Sequence, residues 1–240
     1  MQISDIEYEV DGRRMVGHLA VDDYRLGPRP CVLVCHEGPG LDEHVKGRAV
    51  RLAALGYLAF ALDYQGGGVA PPLDEGMARL GELIGDRART QRVARAGLEI
   101  MLAQEQADRS RVAAIGYCFG GTMALELARA GEDLKAVIGF HPGMPAPALE
   151  DTRRITGRVL FCSGSQDPFV PTEARHAFEQ ELDEAGVADW RIEVYGGVGH
   201  SYTNPRADDV GMEGLAFDPA ADRRAWRSAL DLLDETIGPA

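Results

Sequence analysis

Six short apolar runs, the last interrupted by Glu193, constrain the fold of this chain more than any other feature. They are Cys31 to Cys35, Tyr57 to Leu62, Val112 to Ile115, Ala136 to Phe140, Val159 to Cys162 and Ile192 to Tyr195. Strands buried on both faces read this way, whereas a half-exposed strand alternates. Stretches with a helical period accompany them, near residues 44–55, 86–104, 119–130, 172–185 and 219–236. Strands alternating with helices imply right-handed crossovers and a mostly parallel central sheet with helices on both faces. Residues 3–10 and 13–21 instead alternate in polarity around Asp11-Gly12. That dipeptide between two alternating runs signals an N-terminal antiparallel hairpin. The expectation is a single α/β domain over residues 1–240 with no separate lid domain. A hydrophobic fraction of 45% suffices for its core. Gly66-Gly67-Gly68 and Pro71-Pro72 mark a loop, and the segments 64–85 and 199–218 are both read as loops that shape a cleft.

The formal net charge of -13 narrows the partners. A strongly acidic surface repels phosphate backbones and anionic lipid, which disfavours nucleic acid and membrane. A small-molecule substrate is expected, with the chain acting as a monomer or homodimer. The N-terminus has neither a basic n-region nor an apolar h-region, and no apolar run reaches the ~20 residues that span a bilayer. Of the four cysteines, Cys31, Cys35 and Cys162 lie in strand-like runs and read as small buried hydrophobes, and their spacing fits no metal motif. A cytoplasmic, reducing compartment is expected, with no metal and no cofactor.

In an open parallel sheet, ligands sit at the carboxyl ends of the strands. Gly116-Tyr117-Cys118-Phe119-Gly120-Gly121 follows one strand directly and opens a helix. This is the setting of a nucleophile elbow, with cysteine at the central position. A helix N-terminus there favours the thiolate. The bland alternative is a buried cysteine in a glycine-rich turn. Among the six histidines, His200 follows the last strand in Gly196-Gly197-Val198-Gly199-His200-Ser201, on a loop able to carry an imidazole to the nucleophile. His141, at the end of a strand before Pro142-Gly143, is the second choice and is expected to line the cleft. His44 and His176 fall in helices and read as solvated. Asp167, in Ser163-Gly164-Ser165-Gln166-Asp167-Pro168, lies on a turn after a strand and between the other two in order. It would accept the His200 Nδ1–H bond and fix the tautomer. Asp before Pro is also ordinary turn chemistry. The order nucleophile, acid, histidine is that of α/β-hydrolases, so an α/β-hydrolase fold is expected. The N–H groups of Phe119 and Gly38 are the natural oxyanion donors, the latter on the loop His36-Glu37-Gly38-Pro39-Gly40.

These motifs, with Ala61-Leu62-Asp63-Tyr64 and Gly199-His200-Ser201-Tyr202, resemble the dienelactone hydrolase family over most of the chain. The resemblance implies a role for Glu37: its carboxylate would hold the resting thiol neutral and help take the thiol proton once substrate displaces it. A carboxylate beside a thiol does disfavour the thiolate. An exposed loop glutamate is the alternative. The resemblance also implies an arginine four residues after the catalytic histidine, holding a substrate carboxylate. Asn204 stands there instead, and Arg206 is the nearest replacement. That departure counts against a dienelactone acid. Tyr202, His141 and Arg206 are expected to border the substrate, and Met144 to Pro147 to add apolar wall.

The expected reaction is two-step acyl transfer through a Cys118 thioester, on activated esters, enol esters or lactones. Metal-independent hydrolysis of organophosphate triesters by the same residues is the enzymatic alternative. A redox-sensing or binding protein on a hydrolase scaffold is the alternative of a different class, since an exposed low-pKa thiol oxidises readily.

Overall fold

The computed structural model describes residues 1–238. One eight-stranded sheet runs through it, in the order β1-β2-β4-β3-β5-β6-β7-β8. β1 (Gln2–Val10) and β2 (Arg13–Val21) form the antiparallel hairpin, with Val10 opposite Arg13 across Asp11-Gly12. β2 also runs antiparallel to β4 (Leu58–Leu62). β3 (Arg29–Cys35), β5 (Ala107–Tyr117), β6 (Ala136–Phe140), β7 (Arg158–Gly164) and β8 (Trp190–Tyr195) continue in parallel, and β3 pairs parallel with β4.

The apolar runs have a simple origin in this arrangement. β3 is buried throughout, and its side chains divide between two cores. Cys31, Leu33 and Cys35 face one, with α3 (Arg87–Leu102), α4 (Phe119–Arg129) and α6 (Thr172–Ala185). Val32 and Val34 face the other, with α1 (Glu43–Ala54) and α7 (Pro219–Ile237). Each fully buried leucine or valine of such a strand contributes roughly 1.5–3 kcal/mol. Both faces being covered, alternation has no purpose there and disappears. Among the described residues, no helix is long and apolar enough to cross a membrane.

Two expectations for the connections need correction. Residues 64–85 are a loop only as far as Pro72, and α2 (Leu73–Gly85) follows. Its Leu80 and Leu83 enter the core beside α3, and Asp74 and Glu75 sit favourably in its first turn. The segment 199–218 is not a surface loop throughout. His200 to Asn204 are buried, Tyr202 completely, before a 3-10 turn at Ala207–Val210 and an exposed remainder. The short α5 (Leu149–Thr152) was also not anticipated.

The order of strands reverses between β3 and β5, whose continuations lead to opposite sides of the sheet. Crevices open at such points. Glu37 and Gly38 follow β3, Cys118 follows β5, Asp167 follows β7 and His200 follows β8. Topology alone thus carries these residues to one edge of the sheet.

Candidate active site

Cys118 occupies the single position between β5 and α4, with φ 53° and ψ -125°. Such a backbone costs an L-residue of order 1–3 kcal/mol and persists only where its surroundings impose it. A Cβ on Gly116 would lie 2.0 Å from the Gly120 carbonyl oxygen, and one on Gly120 would lie 2.4 Å from those of Cys35 and His36. Glycine at both positions is therefore a steric requirement of the elbow. The Cys118 N–H is shared between the Phe140 carbonyl (3.0 Å) and His141 Nδ1 (3.2 Å). The thiol is half-buried, while Cys31, Cys35 and Cys162 are fully buried.

His200 Nδ1 donates to Asp167 Oδ2 at 2.7 Å, and both side chains are buried. Asp167 Oδ1 accepts the Phe169 N–H at 2.9 Å, so its carboxylate serves the turn and the ring at once. The opposite ring nitrogen, His200 Nε2, is buried and meets no nitrogen or oxygen partner among the described residues. Cys118 lies close enough to this ring to influence its charge. Burial pushes the His200 pKa down. Interaction with Cys118, and then the hydrogen bond that the ring donates to Asp167, push it up more, to about 10.

Phe119 is the first helical residue, so its N–H has no acceptor inside the helix. Gly38 N–H belongs to the peptide whose carbonyl, on Glu37, accepts from His36 Nδ1 at 2.6 Å and from the Gly40 N–H at 3.2 Å. In a trans peptide the N–H points opposite to the C=O. Pinning the carbonyl thus aims the Gly38 N–H the other way. His36 Nε2 accepts the Tyr64 N–H at 3.3 Å, which fixes the tautomer, and the ring stacks on Tyr64 at 3.6 Å between centroids. Burial lowers the His36 pKa to about 4, so the ring stays neutral. Gln65 Nε2 donates to the carbonyls of Gly38 (2.7 Å) and Gly76 (3.0 Å), tying this loop to α2.

Glu37 is not hydrogen-bonded to Cys118. Its Oε2 accepts from Asn204 Nδ2 at 2.7 Å, and its Oε1 lies 3.6 Å from His141 Nε2. Burial raises its pKa, opposed first by the Asn204 hydrogen bond and then by the His200 charge. Asn204 therefore anchors the glutamate from the place where the family resemblance implied an arginine.

Three residues expected at the substrate lie elsewhere. His141 is fully buried behind the elbow, accepting from the Cys118 N–H and donating Nε2–H to Thr203 Oγ1 at 2.8 Å. Burial, and then the neighbouring His200, hold its pKa well below the usual range. Tyr202 is fully buried and donates to the Cys162 carbonyl at 3.0 Å. Arg206 has its side chain 82% exposed and pairs with Asp209 at 3.1 Å. None of the three borders the cavity. Conversely, His44 is not simply solvated. Its Nε2 lies 3.3 Å from Thr203 Oγ1, and burial lowers its pKa to about 3. No signal in the sequence couples His44, Thr203 and His36 to the elbow, because they meet only through the tertiary fold.

A cavity of about 660 Å³ opens over Cys118, His200, Glu37, Gly38 and Phe119. Leu73, Met77, Leu80, Leu83 and Ile84 of α2 form one wall. Met144, Pro145 and Ala146 form part of another, as expected for that loop, and Phe169, Val210, Met212 and Leu215 close the circuit. The volume and apolar lining suit a small organic molecule. Among the described residues, no three or more His, Cys, Asp or Glu converge to hold a metal ion.

The model of the dienelactone hydrolase family matches residues 16–237. A putative carboxymethylenebutenolidase of Aquifex aeolicus is 27% identical over 231 residues, covering 94% of this chain and 95% of that protein. A probable 2-oxo-3-(5-oxofuran-2-ylidene)propanoate lactonase of Bradyrhizobium is 26% identical, covering 85% and 83%. Among solved structures, a dienelactone hydrolase-like promiscuous phosphotriesterase from metagenomic libraries superposes with a TM-score of 0.95. It is 38% identical and covers 99% of both chains. The sequence match over nearly the whole chain and the near-coincident backbone agree, and the chain belongs to the dienelactone hydrolase family, as a hydrolase on the α/β-hydrolase fold.

Proposed function

We propose that the chain hydrolyses activated esters, enol esters or lactones through a covalent Cys118 acyl-enzyme. One observation carries the reading: His200 is held by Asp167 at 2.7 Å, its other nitrogen is free of partners, and it lines the same cavity as the elbow cysteine that influences its charge. That is the geometry of a base oriented by a buried acid. In the first step Cys118 passes its thiol proton to His200 Nε2 as Sγ bonds to the acyl carbon, and the carbonyl electron pair moves onto oxygen facing the Gly38 and Phe119 N–H groups. Collapse breaks the bond to the leaving oxygen, which takes the proton held on His200 Nε2. In the second step His200 takes a proton from water, hydroxide adds to the thioester carbon, and the Cys118 thiolate departs. A thiolate leaves readily, so the first intermediate reverts unless the other group leaves as easily. This favours enol, aryl and lactone oxygens over amines. The carboxymethylenebutenolidase and lactonase names of the relatives agree with that preference.

A second reading is favoured by the likeness to the promiscuous phosphotriesterase. An aryl phosphotriester would receive Cys118 Sγ at phosphorus and lose aryloxide, and water would then cleave the phosphorus–sulfur bond. The redox-sensing reading has less support, because Cys31, Cys35 and Cys162 are all fully buried.

Steady-state hydrolysis of an aryl ester, a lactone and an aryl phosphotriester by wild type and Cys118→Ala tests the proposal. Ester and lactone turnover should fall by roughly 10⁴-fold or more in the variant. Undiminished ester turnover in Cys118→Ala would refute the proposal. Triester turnover beyond one equivalent supports the second reading, and release that stops at one equivalent reduces it to inhibition.

A further inference from the structure

We propose that this cavity selects uncharged, apolar substrates and rejects those that carry a carboxylate. The inference rests on the Cys118 hydrolase reading for where the bond breaks, and on the cavity itself for what may enter. The rim comes first. Leu73, Met77, Ile84, Phe169, Val210 and Met212 are all exposed, and all six border this cavity. They come from α2, from the turn after Asp167 and from the 3-10 turn with its exit, segments far apart in sequence. Single exposed hydrophobics are ordinary, but a ring of them around one opening marks a binding surface.

The charges in the cavity give the second argument. Apart from Cys118 and His200, the ionisable groups that line it are Glu37, Glu126 and Arg87. Arg87 is engaged at all three of its nitrogens, and its charge is already paired with two carboxylates. Its Nε lies 3.2 Å from Glu126, its Nη1 3.4 Å from Asp151, and its Nη2 donates to the Ala146 carbonyl at 3.1 Å. Glu126 itself is held by the fully buried Arg129 at 2.7 Å, so it is not free to release Arg87. Arg206 points to solvent and off the wall. A carboxylate entering here would lose water, find no unpaired cation and face two carboxylates. A neutral chain would gain roughly four-fold in binding for each methylene buried.

Two matched esters test the proposal, p-nitrophenyl hexanoate and mono-p-nitrophenyl adipate. They share the leaving group and the chain length and differ only in a terminal carboxylate. kcat/KM should favour the hexanoate by roughly 100-fold, the scale of an uncompensated charge in a largely desolvated site. Equal or better cleavage of the adipate ester would overturn the proposal and leave the hydrolase reading standing. Met77→Arg, on the half-exposed face of α2, places a cation in the wall. It should shrink the preference by roughly ten-fold, mainly through KM, and an unchanged ratio would count against the proposal. Alkylation of Cys118 by N-hexyl iodoacetamide and by 6-(iodoacetamido)hexanoate, each relative to glutathione, reads the same selection without turnover. A rate preference for the neutral reagent with neither ester cleaved would uphold the selectivity and refute the hydrolase reading. Equal relative rates would overturn the selectivity.

Discussion

At the carboxyl ends of β3, β6, β7 and β8, polar groups are buried and each is held by another: His200 by Asp167, His141 by Thr203, Glu37 by Asn204, His36 by Tyr64 and the Glu37 carbonyl. Along α2 and the 3-10 turn of Ala207–Val210 the same cavity is bounded by exposed apolar side chains that few directional contacts hold. The two regions obey different physics. A buried polar group left without a partner costs about 1–3 kcal/mol, so the first region tolerates one arrangement. Apolar contact is non-directional, so the second can change its residues and keep its function. Bond-breaking therefore belongs to the sheet edge, and choice of substrate to the helical rim.

If this division holds, substitutions should sort by size and by kinetic parameter. Cys118→Ala and His200→Ala are expected to lose roughly 10⁴-fold or more in kcat/KM for an aryl ester, with an unchanged circular dichroism spectrum. Asp167→Asn should lose roughly 10²–10⁴-fold, chiefly in kcat, since it leaves the ring in place but no longer enforces the tautomer. His36→Phe keeps the stack on Tyr64 and removes the bond to the Glu37 carbonyl. It should lower kcat roughly 10–100-fold with KM little changed, the cost of a misaimed oxyanion donor. Alkylation of Cys118 creates no oxyanion at a carbonyl, so its rate should stay at the wild-type value in that variant. A parallel drop in alkylation would make His36 a general structural support. At the rim, Ile84→Ala and Phe169→Ala should raise KM by no more than about ten-fold and leave kcat alone. A large kcat effect at Ile84 would break the comparison.

The proton inventory sharpens it further. His200 carries its proton until the pH approaches about 10, mainly because Cys118 is beside it. Protonation of the leaving oxygen needs that proton, so activity should fall as pH rises through about 10. In Cys118→Ala the ring loses its strongest upward influence, and an NMR titration should find its pKa lowered toward the usual imidazole range near 6.5.

The parts of this molecule that were legible in the sequence share a local cause. Continuous apolar runs, Asp11-Gly12 and the glycines around Cys118 each state their geometry within a few residues. Cys118, Asp167 and His200 could be nominated because each directly follows a strand. α2 is masked in the sequence because Gly66-Gly67-Gly68 and Pro71-Pro72 mark a loop immediately before it. Yet Leu73, Met77, Leu80 and Ile84 fall at helical spacing, and an acidic first turn follows the proline, so the signal was present. His141, Tyr202 and Arg206 were placed at the substrate by nearness in sequence to strand ends and to His200. Which way His141 and Tyr202 point is decided by partners far along the chain, Thr203 and Cys162, while Arg206 turns to Asp209 three residues on. The Asn204 bond to Glu37, 167 residues apart, is out of reach of the sequence for the same reason.

The central claim is that Cys118 becomes covalently acylated during turnover. The most direct measurement mixes wild type with an aryl ester, quenches within milliseconds to seconds, and reads intact mass with peptide mapping. The account predicts a transient gain equal to the acyl group less one hydrogen, confined to the peptide containing Cys118, which forms and decays at rates consistent with kcat. Full turnover with no adduct at any quench time, or an adduct on another residue, would contradict it.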